Sequence, residues 1–104
     1  MDDEKLLRFG PVFMDDEKRQ VFVNDKLCEL TFKEYELLKL LMLNAGIVST
    51  REMILDRVWG TDFEGESRTL DMHIKTLRQK MGSAGTLIRT VRNVGYMLIG
   101  EEQS

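Results

Sequence analysis

Apolar residues recur at helical spacing through residues 67–81, where Leu70, Ile74, Leu77 and Met81 form one stripe. At about 100° per residue, the opposite face carries Arg68, Thr69, Met72, Lys75, Thr76 and Gln79. The spacing predicts a helix capped by Ser67 and ended by Gly82, with an apolar back and a front of cations, hydroxyls and one methionine. Earlier in the chain, Phe32, Tyr35, Leu38, Leu41, Met42 and Ala45 predict the buried face of a central helix. Thr31 and Glu34 fit a capping box at its start, and Asn44-Ala45-Gly46 ends it. Ile47-Val48 read as a short strand. Ser49 or Thr50 then caps a second helix that carries Ile54, Leu55, Val58 and Trp59 and stops at Gly60.

The first thirty residues alternate short apolar runs with turn formers. Runs at 6–9 and 12–14 flank Gly10-Pro11, a charged turn follows at 15–18, and runs at 20–23 and 26–30 flank Asn24-Asp25. Three or four short antiparallel strands are expected, too small a sheet to stand without helices. Residues 82–85 read as a flexible connection, and residues 87–92 and 96–99 as a hairpin with a basic tip at Asn93-Val94-Gly95. The order is sheet, core helix, helix, loop, helix, hairpin. That is the α+β layout of a winged helix-turn-helix, with an N-terminal antiparallel sheet, three helices and a C-terminal hairpin wing. In organisation, residues 1–5 form an acidic lead-in or linker remnant, 6–99 the folded domain, and 100–104 a tail.

Composition narrows the chemistry. A chain of 104 residues, 42% hydrophobic and 32% charged, has the balance of a single globular domain. It holds no apolar run long enough for a membrane span and no signal-peptide pattern, and its single Cys28 fits a buried thiol in a reducing compartment. A cytoplasmic location is expected. The net charge of −3 hides an asymmetry: residues 1–66 sum to −6, while residues 67–96 hold Arg68, Lys75, Arg78, Lys80, Arg89 and Arg92 against Asp71 alone. An acidic body with one basic third is oriented toward a polyanion. His73 is the only histidine and has no ligand partners at metal spacing, so no metal or cofactor is expected. Serines and threonines sit at caps without a base and orienter, and no glycine-rich phosphate loop is present, which excludes an enzyme.

Four segments in order carry a resemblance: LTFKEYELLKLL from Leu30, STREMILDRVWG from Ser49, SRTLDMHIKTLRQKM from Ser67, and RTVRNVGY from Arg89. From about residue 6 to residue 98 the chain resembles the effector domain of OmpR/PhoB-type response regulators. The resemblance implies sequence-specific binding of double-stranded DNA, with residues 67–81 in the major groove and the 87–99 wing in the adjacent minor groove. It implies base reading by Thr69, Asp71, Met72 and Thr76, and by Arg92 inserted from the wing. It assigns backbone contacts or bracing to Trp59, Arg68, His73, Lys75, Arg78, Thr90 and Tyr96. The helical wheel independently clusters Thr69, Met72 and Thr76 outward, with Arg68 and Lys75 on one edge and His73 on the other. Asp71, amid cations, is expected to orient Arg68 or Lys75.

By the same resemblance, the acidic loop at 61–66 contacts the σ or α subunit of RNA polymerase through Asp62, Phe63 and Glu64. The implied partners also include a second copy on direct repeats of DNA, and a receiver domain and sensor histidine kinase in the full-length protein. Some residues depart from the family pattern. Thr76 stands where many relatives have arginine, Met72 replaces a commoner valine, Asn93 a frequent glycine, and Met97 a basic residue. The competing reading is a winged-helix protein-interaction module that never touches nucleic acid. It predicts a mainly apolar exposed surface, whereas this chain places a cationic helix and wing in register.

Overall fold

Alternating side chains turn the N-terminal third into a four-stranded antiparallel sheet of β1 (Leu6–Phe9), β2 (Val12–Asp15), β3 (Gln20–Val23) and β4 (Lys26–Cys28), in that spatial order. These and all later details come from a computed structural model that describes residues 5–61, 65 and 67–100. Val12 lies opposite Val23, Met14 opposite Val21, and Val21 opposite Cys28, so one face of the sheet sends Val12, Met14, Val21 and Cys28 into the core. Asn24 and Asp25 both hold positive φ, 53° and 67°, the backbone that a two-residue hairpin turn requires. In the turn after β2, the Asp15 carboxylate accepts from the N–H groups of Glu17 and Lys18.

Helix α1 (Phe32–Leu43) begins with the expected capping box. Thr31 Oγ1 accepts from Glu34 N, and Glu34 Oε1 accepts from Thr31 N. Its buried arc is wider than the sequence pattern indicates, because the helix is enclosed from several sides: Leu37 and Leu40 join Tyr35, Leu38, Leu41 and Met42 in the core. Phe32, expected inside, is 65% exposed and has the cations of Arg19 and Lys33 near its ring.

The short strand β5 forms at Ser49–Thr50, not at Ile47-Val48; Ile47 is exposed. Ser49 pairs with Tyr96 and Thr50 with Gly95, so the position of β5 is set by the C-terminal hairpin. Thr50 is therefore the cap, its Oγ1 accepting from Met53 N, and Ser49 is buried in the sheet. Helix α2 (Arg51–Ile54) runs on as a π-helical turn, Leu55–Trp59, and Gly60 ends it at φ 113°.

Helix α3 (Arg68–Met81) buries Leu70, Ile74, Leu77 and Met81, the four residues of the sequence stripe. The expected flexible connection after it is instead an ordered 3-10 turn, Gly82–Leu87. Ala84 and Leu87 are buried there, and Gly85 is so close to α3 that a Cβ would come within 2.5 Å of the Arg78 carbonyl oxygen. Strands β6 (Ile88–Val91) and β7 (Gly95–Leu98) close the chain as a hairpin, giving a second sheet in the order β5-β7-β6. At the hairpin tip Asn93 takes φ 65°, as its left-handed tolerance allows. One core runs from Val12 and Met14 through α1 to Ile54, α3 and Leu98. No helix among the described residues is long and apolar enough to cross a membrane.

Candidate nucleic-acid interface

Three polar clamps hold α3. At its first turn, the Asp71 carboxylate takes both guanidinium nitrogens of Arg51, at 2.7 and 3.0 Å, and accepts the Tyr96 hydroxyl. Arg51 also donates to the Ser67 carbonyl, so a single arginine on α2 ties down the start of α3. Toward the C-terminus, Arg78 donates from Nε and Nη2 to the Ile88 carbonyl and from Nη2 to Thr90 Oγ1, fastening α3 to the wing. On the α1 side, Thr76 Oγ1 donates to Glu34 Oε2 at 2.6 Å and Lys80 Nζ donates to Glu34 Oε1 at 2.7 Å.

The clamps lie on the flanks of α3 and leave a ridge between them. On a wheel of about 100° per residue, Arg68, Met72, Lys75 and Gln79 span an arc of about 60° opposite the buried stripe. All four are exposed, Met72 by 63%. Asp71 and Arg78 border this ridge on the wing side, and Thr69 and Thr76 on the α1 side. Beyond it, the wing tip exposes Arg92, Asn93 and Val94, with Arg89 and Thr90 exposed on β6.

The structure therefore separates the expected site residues into two groups. Met72, Arg68 and Lys75 come together on the outward ridge, and Arg92 projects from the wing turn. Thr76 and Asp71 are only part-exposed, and their polar atoms are engaged within the protein, on Glu34 and on Arg51 with Tyr96. Asp71 thus orients Arg51 and not Arg68 or Lys75, because Arg51 is delivered to it by α2. Tyr96, expected on the DNA backbone, is buried with its hydroxyl turned to Asp71. Arg78 braces the wing, occupying the Thr90 hydroxyl. His73 Nδ1 donates to the Thr69 carbonyl at 2.9 Å, and its ring meets Trp59 edge-on at 5.0 Å. Half-buried Trp59 also has the Lys33 ammonium 5.5 Å from its ring. Thr69 is half-buried at the ridge's edge. Asp62, Phe63 and Glu64 lie outside the described residues.

The sequence motifs give Gln79 no role, yet it extends the ridge by a full turn past Lys75. The signal was present in the wheel, which puts it on the front face. The sequence marks Glu34 only as a cap; its link to α3 spans 42 residues and has no local signature.

The electrostatics of the clamps favour ionised carboxylates. Burial opposes ionisation of Glu34, but Lys80, Thr76 and the Thr31 N–H outweigh it and lower its pKa from 4.5 to about 2. The Arg51 guanidinium, helped by Tyr96, holds Asp71 below the usual carboxylate range. Burial and the neighbouring Asp71 push the Tyr96 phenol upward, so it stays a donor. No group of three or more His, Cys, Asp or Glu among the described residues is placed to hold a metal ion.

A three-helix core with a clamped, outward-facing third helix and a β-hairpin beside it defines a winged helix-turn-helix domain. Residues 25–98 match the family "Transcriptional regulatory protein, C terminal". The chain is 45% identical over 101 residues to the sensory transduction protein RegX3 of Mycolicibacterium smegmatis, covering 94% of this chain and 44% of RegX3. It is 42% identical over 94 residues to the regulatory protein VanRB of Enterococcus faecalis, covering 90% of this chain and 42% of VanRB. Among solved structures, it is similar to the DNA-binding domain of Klebsiella pneumoniae RstA in complex with RstA box. There the TM-score is 0.82 at 31% identity, covering 91% of this chain and 97% of that one. The response regulator DrrB of Thermotoga maritima, an OmpR/PhoB homolog, matches with TM-score 0.83 at 34% identity, covering 92% of this chain and 45% of DrrB. This chain belongs to the family of C-terminal domains of transcriptional regulatory proteins, of the OmpR/PhoB type. That family is one of transcriptional regulators and not a class of enzymes. The chain spans less than half the length of the two curated relatives named above.

Proposed function

We propose that this domain binds double-stranded DNA sequence-selectively to control transcription, with α3 in the major groove and the β6–β7 turn in the adjacent minor groove. The observation that carries the reading is the outward ridge of α3, cationic at Arg68 and Lys75 and bare of core contacts, beside a wing tipped by Arg92. A major groove admits a helix, and base edges there are read by apolar contact and by amide or cationic side chains. Met72 suits a thymine methyl, Gln79 can pair with adenine through its amide, and Lys75 serves a guanine edge or a phosphate. Arg68, Arg89 and Trp59 hold phosphates, and Arg92 reads minor-groove width.

The full-length protein, on this reading, places a receiver domain addressed by a sensor kinase before this output domain. Two copies bind direct repeats, and the loop holding Asp62, Phe63 and Glu64 addresses RNA polymerase. The test of DNA binding is a fluorescence-anisotropy titration with a random-sequence duplex and a selected one, at several salt concentrations. Affinity is expected to fall linearly with the logarithm of salt, and Lys75→Ala to reduce the slope by about one. No binding at low salt, or a slope insensitive to every ridge cation, defeats the proposal.

A further inference from the structure

Glu34 is the only charged side chain of the described residues that is buried like the core, at 3% exposure. As a helix cap it needs one oxygen, Oε1, to accept from Thr31 N. The other oxygen has no part in capping and takes Thr76 from α3, while Lys80 adds a charged donor to Oε1. Thr76 and Lys80 are one turn apart on α3. Two points fixed on one flank of a helix fix its rotation about its own axis. A rotation by a single residue, about 100°, in the sense that brings Thr76 to the front would carry Lys75 into the buried stripe.

We propose that Glu34 is the positioning residue that sets the rotation of α3, and that Thr76 serves this lock instead of reading bases. Sequence preference then falls to Met72, Lys75 and Gln79 on the ridge. Thr76 has one hydroxyl proton, and its two acceptors within the protein are Glu34 Oε2 at 2.6 Å and the His73 carbonyl at 3.1 Å. The carboxylate is both nearer and the stronger acceptor, so no proton remains for a base edge. Glu34 cannot itself meet DNA, since it is covered by the residues it binds. The inference about preference rests on the DNA-binding reading above; the inference about rotation does not.

The discriminating variant is Thr76→Val, which keeps shape and branching, removes the donor and lies outside the cap. Its affinity for the selected duplex is expected to fall about tenfold, the scale of a hydrogen bond to a charged group. Affinity for random duplex should be unchanged. Selection from a random pool should give a profile flattened at every base pair the ridge reads, and Thr76→Ser should restore both. In the free protein, residual dipolar couplings should show α3 turned relative to α1 in Thr76→Val and in Lys80→Met, with thermal melts confirming that each variant is folded. A profile altered at one base pair only, and altered again by Thr76→Ser, makes Thr76 a reader and overturns the proposal. Couplings identical to wild type in both variants also overturn it. Failure of the wild-type domain to bind DNA would reject the preceding reading while leaving the coupling measurement to decide the lock.

Discussion

Arg78 looks outward in the sequence and inward in the structure. Its position beside Lys75 on a basic helix matches a phosphate contact, but strand β6 brings the Ile88 carbonyl and Thr90 hydroxyl to it. Lys75 stays exposed. We therefore expect the two alanine variants to differ in kind. Arg78→Ala should lower stability by about 1–3 kcal/mol in a thermal melt, whereas Lys75→Ala should leave the melt unchanged. Equal melting points for both would contradict the clamp. Tyr96→Phe should destabilise by about 1–2 kcal/mol, since it strips Asp71 of a donor in a part-buried site. Glu34 gives a pH dependence. Its folded pKa, about 2, lies below the ordinary 4.5, so its contribution is complete above about pH 5 and is lost as pH falls through 2. Shifts of this size are worth on the order of 3 kcal/mol at neutral pH. Urea midpoints should drop between pH 5 and 2.5 and drop less steeply in Glu34→Gln, while an identical slope would remove Glu34 as the cause. Asp16 and Asp71 are lowered too, so some slope persists. The clamps made by Arg78, by Tyr96 and by Glu34 on α3 are not legible in the sequence, because each partner lies on a different element.

At the level of elements, what was legible is what is locally encoded. The α3 stripe and the Thr31–Glu34 box depend on residues three or four apart, and both match the structure. So do the turns at Gly10-Pro11 and Asn24-Asp25, between β1 and β2 and between β3 and β4, where positive φ is required of Gly10, Asn24 and Asp25. The misplaced strand is the opposite case. Ile47 and Val48 have the higher β-propensity, but Tyr96 and Gly95 choose Ser49 and Thr50 as partners. The turn at Gly82–Leu87 looked loose because glycine and serine dominate it; burial of Ala84 and Leu87 orders it. Gly95 shows how tight these distant pairings are, since a Cβ there would overlap the Ser49 carbonyl oxygen. Gly95→Ala should therefore cost about 3 kcal/mol or more. Hydrogen exchange should also show faster loss of protection at β5 than at α1. Uniform protection in the variant would mean that the backbone yields at little cost.

For the whole molecule, charge and family point the same way. Residues 67–96 set Arg68, Lys75, Arg78, Lys80, Arg89 and Arg92 against Asp71 alone, so a polyanion is drawn to the part of the molecule that carries α3 and the wing. Low salt should raise affinity without making the domain bind in any orientation, and a competitor polyanion such as heparin should displace DNA through the ridge alone. The two-residue strand β5 has a larger consequence than its size. Thr50 both pairs with the wing strand and caps α2, and Arg51 then reaches across to Asp71 on α3. Wing and helix are thereby the two jaws of a calliper whose hinge is locked. A calliper of fixed gap measures the distance between neighbouring grooves, and that distance changes with the winding of the duplex. The domain should accordingly sense twist: its affinity for one and the same site, carried on small DNA circles of different linking number, should pass through a maximum. Affinity independent of linking number would show that the jaws flex.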